Sequence, residues 1–195
     1  ELVFSFGATK QTAYDDVFTL AEPRVRRLME MLIEEDIGLD FRIETRADYL
    51  SEETVTLLAK AGCTRVKLGI ESGVQSVVDK TQKKLRLEDV VEAVERLKRH
   101  GIGITGNFIV GHVDETDSQA RQSIEFARSL DLDAYSVSIF TAYQGTIDYD
   151  KYGGVGLDDP VQHFHTNVNL LKLSSVRPET VEEFLKLNEG RAGAR

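Results

Sequence analysis

Cysteine is the scarcest chemistry in this chain of 195 residues. Cys63 stands alone, which excludes an internal disulfide and any multi-cysteine metal site built from this chain by itself. Its setting, "AKAGCTRV", is a helix end leading into a strand, so Cys63 reads as a small buried thiol and not as a reactive one. Positive charge is in deficit: 24 lysines and arginines face 33 aspartates and glutamates, a formal net charge of −9. That balance argues against an electrostatic nucleic-acid footprint and against a polybasic membrane patch. No apolar run approaches the ~20 residues of a membrane helix, and no signal-peptide pattern opens the chain, so the cytoplasm is the expected compartment. The Gly-rich Lys-Ser/Thr loop that cradles nucleotide phosphates is missing as well. The histidines (His100, His112, His163 and His165) form no helix or strand-end ligand set, which disfavours a metal-dependent barrel hydrolase.

What is present is ordinary for one globular domain, 41% hydrophobic and 29% charged, with enough apolar residues for a real core. The apolar period switches repeatedly between two and about 3.6. A helix is expected from Pro23 to Asp36, with Val25, Leu28, Met29, Leu32 and Ile33 as its stripe. "LDFRIETR" alternates as a strand. Ser51 has the character of an N-cap, and Gly62 that of the residue just past a helix end. "TRVKLGIES" is the next strand. A helix from Leu87 to His100 turns Val90, Val91, Val94 and Leu97 inward and is closed by Gly101. "ITGNFIVG" is a strand, Asp117 to Leu130 a helix, and "AYSVSIFTAY" a last strand. Strand–helix units of ~25–40 residues imply parallel strands joined by crossovers, hence α/β: a barrel or a doubly wound sheet. After Tyr143 a polar, Gly-rich connection, "QGTIDYDKYGGVGLDDP", leads to two helices, about 161–173 and 178–188. One domain is expected over 1–195, its barrel part to about 146 and a helical extension over 147–195.

Strand alternation sorts the side chains into two faces. Leu39, Phe41 and Ile43 oppose Arg42, Glu44 and Arg46. Val66, Leu68 and Ile70 oppose Lys67, Gly69 and Glu71. Tyr135, Val137 and Ile139 oppose Ser136, Ser138 and Phe140. A parallel strand covered on both sides reads as nearly continuous apolar residues, and these do not. The apolar face should grip helices, while the polar face turns toward an axis or cleft. Charges there must pair, meet water or meet a ligand. An internal salt-bridge network of Arg42 or Lys67 with Glu44 or Glu71 is the alternative to a ligand site. Ligands in such folds sit at the carboxyl ends of strands, where Glu44, Arg46, Glu71 and Gly111 fall.

Four segments in order, "YDDVFTL", "FRIETRADYLSEETVTLLAKAGCTRVKLGIESG", "GITGNFIVGHVDET" and "FTAYQGT", resemble the radical S-adenosylmethionine (SAM) superfamily. The likeness is to the subgroup that often carries a cobalamin-binding domain upstream. It implies a partial (β/α) barrel with SAM and a [4Fe–4S] cluster at the carboxyl end. "GIESG" is similar to the motif ending the family's fourth barrel strand, so Glu71 would accept hydrogen bonds from ribose hydroxyls or the methionine amino group. Ser72 would add a hydroxyl contact, and Gly69 and Gly73 would let the cofactor approach the backbone. "NFIVGHVDET", with Asn107, is similar to the segment bracketing the adenine, Ile109 covering it and Gly111 leaving room. Its commoner form continues Pro-Gly-Glu-Thr, whereas here His112, Val113 and Asp114 precede Glu115 and Thr116. His112 faces either solvent on a surface loop or a substrate. Glu44 and Arg46 of "ETRAD" resemble residues beneath the methionine moiety, Arg46 pairing with its carboxylate. Asp15, Asp16 and Thr19 resemble the segment after the second strand, with Asp15 and Asp16 as a helix-leading pair as the alternative. "FGATKQTAY" has no clean counterpart. Tyr143, Gly145 and Thr146 match a closing structural element.

Family members hold the cluster on three cysteines of a Cys-x-x-x-Cys-x-x-Cys loop, which this chain lacks, and Cys63 cannot substitute for it. The expectation is therefore the C-terminal portion of a radical SAM catalytic domain. It would bind SAM for 5′-deoxyadenosyl radical chemistry in a longer protein that also holds the cluster, with cobalamin on an upstream domain. Alone, the chain should bind no cluster. The alternative is a non-catalytic barrel that serves as a ligand-binding or scaffold domain. Expected partners are the small-molecule cofactor and an unknown substrate.

Overall fold

The computed structural model describes residues 7–142, 145–152 and 173–189. Its elements in chain order are β1 (Lys10–Thr12), α1 (Glu22–Glu34), β2 (Asp40–Thr45), a 3-10 turn (Ala47–Tyr49), α2 (Glu52–Lys60) and β3 (Cys63–Glu71). Then follow α3 (Gln75–Lys80), α4 (Leu87–Arg99), β4 (Gly103–Val110), α5 (Asp117–Leu130), β5 (Ala134–Ile139), α6 (Ile147–Tyr152) and α7 (Pro178–Leu185). One sheet has the strand order β1-β2-β3-β4-β5, and the pairs β1–β2 and β2–β3 are parallel. Helices join successive strands, the α/β arrangement of a partial (β/α) barrel. Chain contacts divide the molecule into two compact units, residues 1–70 with 85–106 and residues 71–84 with 107–195.

In the first unit, Phe41 and Ile43 of β2 and Val66, Leu68 and Ile70 of β3 are all buried. So are Val25 and Met29 of α1, Val55 and Leu58 of α2, and Val90, Ala93, Val94 and Leu97 of α4. Fully removing such a side chain from water is worth about 1.5–3 kcal/mol, so these rows make the core of the unit. The Ser51 side chain accepts the Thr54 N–H at 3.1 Å and caps α2. At the other end of α2, Gly62 sits at φ +94°, and a Cβ there would lie 2.3 Å from the Leu39 carbonyl oxygen. Only glycine fits that turn.

The helix stripes are narrower than their sequence pattern. In α1 only the Val25–Met29 row is fully buried, while Leu28 and Ile33 are 37% and 38% exposed. In α4 Val91 is turned outward and Ala93 inward, because the buried row follows i, i+3, i+4 and i+7 from Val90. Short elements escaped the pattern altogether. β1 lies inside "FGATKQTAY", and α3 and α6 are six residues each, too short to display a period. The helix expected over 161–173 lies outside the described residues except for Leu173, and Tyr143, His163 and His165 lie outside them too.

In the second unit, Phe108 packs against Phe184 with ring centroids 5.2 Å apart and against Tyr135 at 6.4 Å. The Tyr135 hydroxyl donates to the Ala127 carbonyl at 3.1 Å, tying β5 to α5. Thr116 and Gln119 form a reciprocal capping box at the start of α5. Asp117 then receives Arg177 Nη2 at 2.7 Å, Thr180 Oγ1 at 2.6 Å and Arg121 Nε at 3.1 Å, which docks the start of α7 onto α5.

Candidate functional site

The strand faces follow the expected alternation. On β2 the residues from Asp40 to Thr45 read exposed, buried, exposed, buried, half-buried, buried, and β4 alternates throughout. In the first unit Glu44 and Lys67 are register partners, and Lys67 Nζ donates to Glu44 Oε1 at 2.9 Å. Lys67 is thus a member of the internal ion pairing expected as the alternative to a ligand site on this face. Gly69 is half-buried on the same face of β3. Arg46 does not extend freely: its guanidinium forks onto Asp48 at 2.9 and 2.7 Å and lies 5.5 Å over the Tyr49 ring. Thr19 and Thr45 share a buried hydroxyl–hydroxyl bond, and the Glu44 carbonyl accepts the Phe18 N–H at 3.0 Å. These contacts fasten the "DDVFT" segment to the end of β2. Asp15 meets Arg24 of α1 at 2.9 Å, but it does not lead that helix, whose N-cap is Ala21.

In the second unit, Glu71 is 5% exposed, ends β3 and holds φ at +70°, a left-handed conformation uncommon for a non-glycine residue. Lys83 Nζ donates to its Oε1. Ser72 is fully buried, shares a 2.9 Å hydrogen bond with Ser123 Oγ and accepts the Val74 N–H at 3.1 Å. The Gly73 N–H donates to the same Ser123 Oγ at 3.0 Å, and a Cβ on Gly73 would lie 2.5 Å from Phe126 Cβ. Ser72 and Gly73 are therefore spent on the seam with α5. Asn107 is half-buried with Oδ1 buried and without a partner among the described residues, and Ile109 is half-buried two residues on.

Immediately after β4 comes a loop whose chemistry the sequence only hinted at. Gly111 takes φ +84° and Asp114 φ +59°. Asp114, at the place of the glycine in the commoner Pro-Gly-Glu-Thr form, thus takes a left-handed conformation, which a short polar side chain tolerates. Glu115 is 1% exposed, and its Oε2 accepts the Gly111 N–H at 2.6 Å and the His112 N–H at 3.0 Å, while Oε1 has no partner among the described residues. Burial pushes this carboxyl up to about 7, against the two backbone N–H bonds and Lys80, which pull it down. His112 is not on the surface. It is 6% exposed, its ring lies 5.4 Å from Phe140, and its Nε2 is buried without a partner among the described residues. Burial first, then the charges of Lys80 and Lys83, lower it to about 4, opposed by its hydrogen bond to the Ile109 backbone. A neutral imidazole that donates there from its other nitrogen presents a bare Nε2 lone pair. The one signal for it was a histidine directly after a glycine at a strand's carboxyl end.

The sequence pattern of the radical SAM superfamily matches residues 3–127. The chain belongs to that superfamily. It is 28% identical over 145 residues to an uncharacterised methyltransferase from Pyrococcus horikoshii, covering 74% of this chain and 32% of that protein. It is 30% identical over 131 residues to the anaerobic magnesium-protoporphyrin IX monomethyl ester cyclase of Rubrivivax gelatinosus, covering 66% of this chain and 24% of the cyclase. Its fold matches the radical SAM methyltransferase TsrM from Kitasatospora setae, solved with cobalamin and a [4Fe–4S] cluster, at a TM-score of 0.69 and 19% identity. That match covers 81% of this chain and 31% of TsrM. The chain thus spans about a third or less of the length of these relatives.

The family's cofactors fit this chain unequally. The Glu71 carboxylate and the Asn107 Oδ1, which has no partner among the described residues, are acceptors of the kind SAM requires, whereas Gly111 is buried with its N–H bound to Glu115. The cluster does not fit: the single thiol, Cys63, opens β3 at its amino end, is 5% exposed and is pushed by burial up to about 12. Among the described residues no group of three or more His, Cys, Asp or Glu side chains could hold a metal ion, and no helix is long and apolar enough to cross a membrane.

Proposed function

We propose that this chain is the SAM-binding part of a radical SAM catalytic domain, with the cluster carried by cysteines outside these 195 residues. When bound and reduced by one electron, SAM supplies a 5′-deoxyadenosyl radical. Within the second unit, Glu71 accepts a ribose hydroxyl or the methionine amino group, Asn107 Oδ1 accepts a further donor, Ile109 covers the adenine and Gly111 leaves room for it. In the first unit, Glu44 and Arg46 are assigned by resemblance to the methionine end, and Arg46 exchanges Asp48 for the cofactor carboxylate. The relatives' names, a methyltransferase and a tetrapyrrole cyclase, and the cobalamin in TsrM favour a cobalamin-associated reaction on a small molecule.

The observation that carries this reading is Glu71, a carboxylate 5% exposed at the end of β3 on a strained backbone. Strain of this kind gathers at functional sites. Titrating SAM into the chain by calorimetry should give binding that Glu71→Ala weakens roughly 10- to 100-fold, the worth of a hydrogen bond to a charged group. Equal affinities in the two proteins, with matching circular dichroism, would remove Glu71 from the cofactor site. The isolated Cys63 supports the second reading, a barrel that binds ligands without redox chemistry. A three-cysteine loop in the contiguous upstream coding sequence decides for the enzyme, and its absence for the scaffold.

A further inference from the structure

The first unit carries a second feature on the polar face of β2 and β3, toward the amino end from Glu44. The Glu44–Lys67 pair shows that register partners on these strands point their heads to one side. The preceding partners on that side are Arg42 and Arg65. Like charges directly opposite one another on neighbouring strands destabilise a sheet. Neither guanidinium has a carboxylate within ion-pair distance among the described residues. Arg65 Nη1 donates to Thr105 Oγ1 at 3.3 Å. Its guanidinium also lies across Gly103, where a Cβ would stand 3.6 Å from Cζ and Nη2. That is ordinary van der Waals contact, and the nearest neighbour of such a Cβ is the Thr64 carbonyl oxygen at 3.3 Å. One step further, Lys10 and Asp40 are register partners. Lys10, Arg42, Arg65 and Lys67 against Asp40 and Glu44 leave this face two positive charges in surplus, in a chain whose net charge is −9.

We propose that Arg42 and Arg65 are an oxyanion-binding pair that grips a carboxylate or phosphate group of the substrate. This rests on the reading of the chain as part of a radical SAM enzyme, and it places the anion on the polar face shared with Glu44 and Lys67, toward the strands' amino ends from them. Guanidinium forks match both oxyanions geometrically, and an anion between two of them replaces their repulsion by charge-assisted hydrogen bonds. Thr105 accepts from Arg65, so its own O–H is left to donate to the same anion.

The test needs neither cluster nor SAM. Inorganic pyrophosphate and glutarate are titrated separately into the 195-residue chain at low salt, following the arginine Nε–H resonances by NMR. The Arg42 and Arg65 signals should shift along one saturable curve, and Arg42→Gln and Arg65→Gln should each weaken binding at least tenfold. Arg27→Gln, which removes an exposed charge from α1, should leave it unchanged. The anion that saturates first separates a phosphate from a carboxylate ligand. Without anion, each glutamine variant should melt at or above the wild-type temperature, because it relieves a repulsion. Curves that do not saturate, an equal loss from Arg27→Gln, or glutamine variants that melt several degrees lower would each overturn the proposal. SAM binding by the wild-type chain is a separate measurement: its failure beside intact anion binding would sink the cofactor reading and spare the pair.

Discussion

Two neighbouring groups on the loop after β4 should hide each other's pH dependence, and separate substitutions should uncover it. Glu115 rises from its ordinary 4.5 to about 7 and His112 falls from 6.5 to about 4, both chiefly through burial. A shift of about 2.5 units corresponds to about 3 kcal/mol for each. The signs are opposite. A carboxyl raised in the folded state contributes stability fully below 4.5 that is lost as pH rises through 7. An imidazole lowered in the folded state contributes stability above 6.5 that is lost as pH falls through 4. Between 4.5 and 6.5 the folded and unfolded chains bind the same number of protons at this pair, so its net slope is near zero. Glu115→Gln keeps a carbonyl for the Gly111 and His112 N–H groups and cannot ionise. Relative to wild type it should gain about 3 kcal/mol as pH rises from 4.5 to above 7. His112→Phe keeps an aromatic ring beside Phe140. It should gain about 3 kcal/mol on wild type as pH falls from 6.5 to 4. Urea unfolding across a pH series reads both differences, since all other groups cancel. A Glu115→Gln curve parallel to wild type would refute burial as the dominant cause. One that falls relative to wild type would show that the two N–H bonds stabilise the carboxylate more than burial opposes it.

Two further substitutions test how the second unit is held together. Gly73→Ala places a Cβ 2.5 Å from Phe126 Cβ and 2.8 Å from Ser123 Cα, so it should cost about 1–3 kcal/mol in the urea midpoint. Wild-type stability would mean that α5 yields freely. Asp117→Asn removes the charge facing Arg177 and Arg121 and should cost about 1 kcal/mol, since those partners are largely exposed. Arg177 above all holds the Asp117 carboxyl well below the usual carboxylate range, so wild type loses this stability as pH falls through that lowered value. The variant's acid limb below pH ~4 should therefore be shallower, and parallel limbs would count against the pairing.

The fold was legible wherever a long element kept one period. α2 with its Ser51 cap, α5, and the strands β2 to β5 lie within a residue or two of their pattern, apart from the overlong end assigned to β5. β1, α3 and α6 were not, because three to six residues complete no readable period. Which strand face is polar was equally legible, since alternation survives folding. Partners across the chain were not. Nothing in "GIESG" announces that Ser72 and Gly73 answer to Ser123 and Phe126 some 50 residues away. Nor does "ETRAD" show that Arg46 turns back onto Asp48. His112 illustrates the limit from the other side: a loop histidine is ordinarily solvated, and only the packing of Phe140 and the Glu115 clamp beneath it make it a buried base.

The non-glycine residues with positive φ sort by cause, and the sorting isolates Glu71. Asp36, Gln82 and Asp131 stand at or just past the ends of α1, α3 and α5, where a left-handed residue closes a helix. Lys84 lies in the short connection from α3 into α4. Asp114 has the short polar side chain that tolerates this region. Glu71 ends a strand, closes no helix and has no such side chain, so its conformation costs on the order of 1–3 kcal/mol. The turn itself explains nothing about the residue type, because glycine would make it with less strain. It follows that the requirement at position 71 is the carboxylate and not the backbone: a charge carried to the end of β3, kept buried, and met from inside the chain only by the flexible amine of Lys83 among the contacts described.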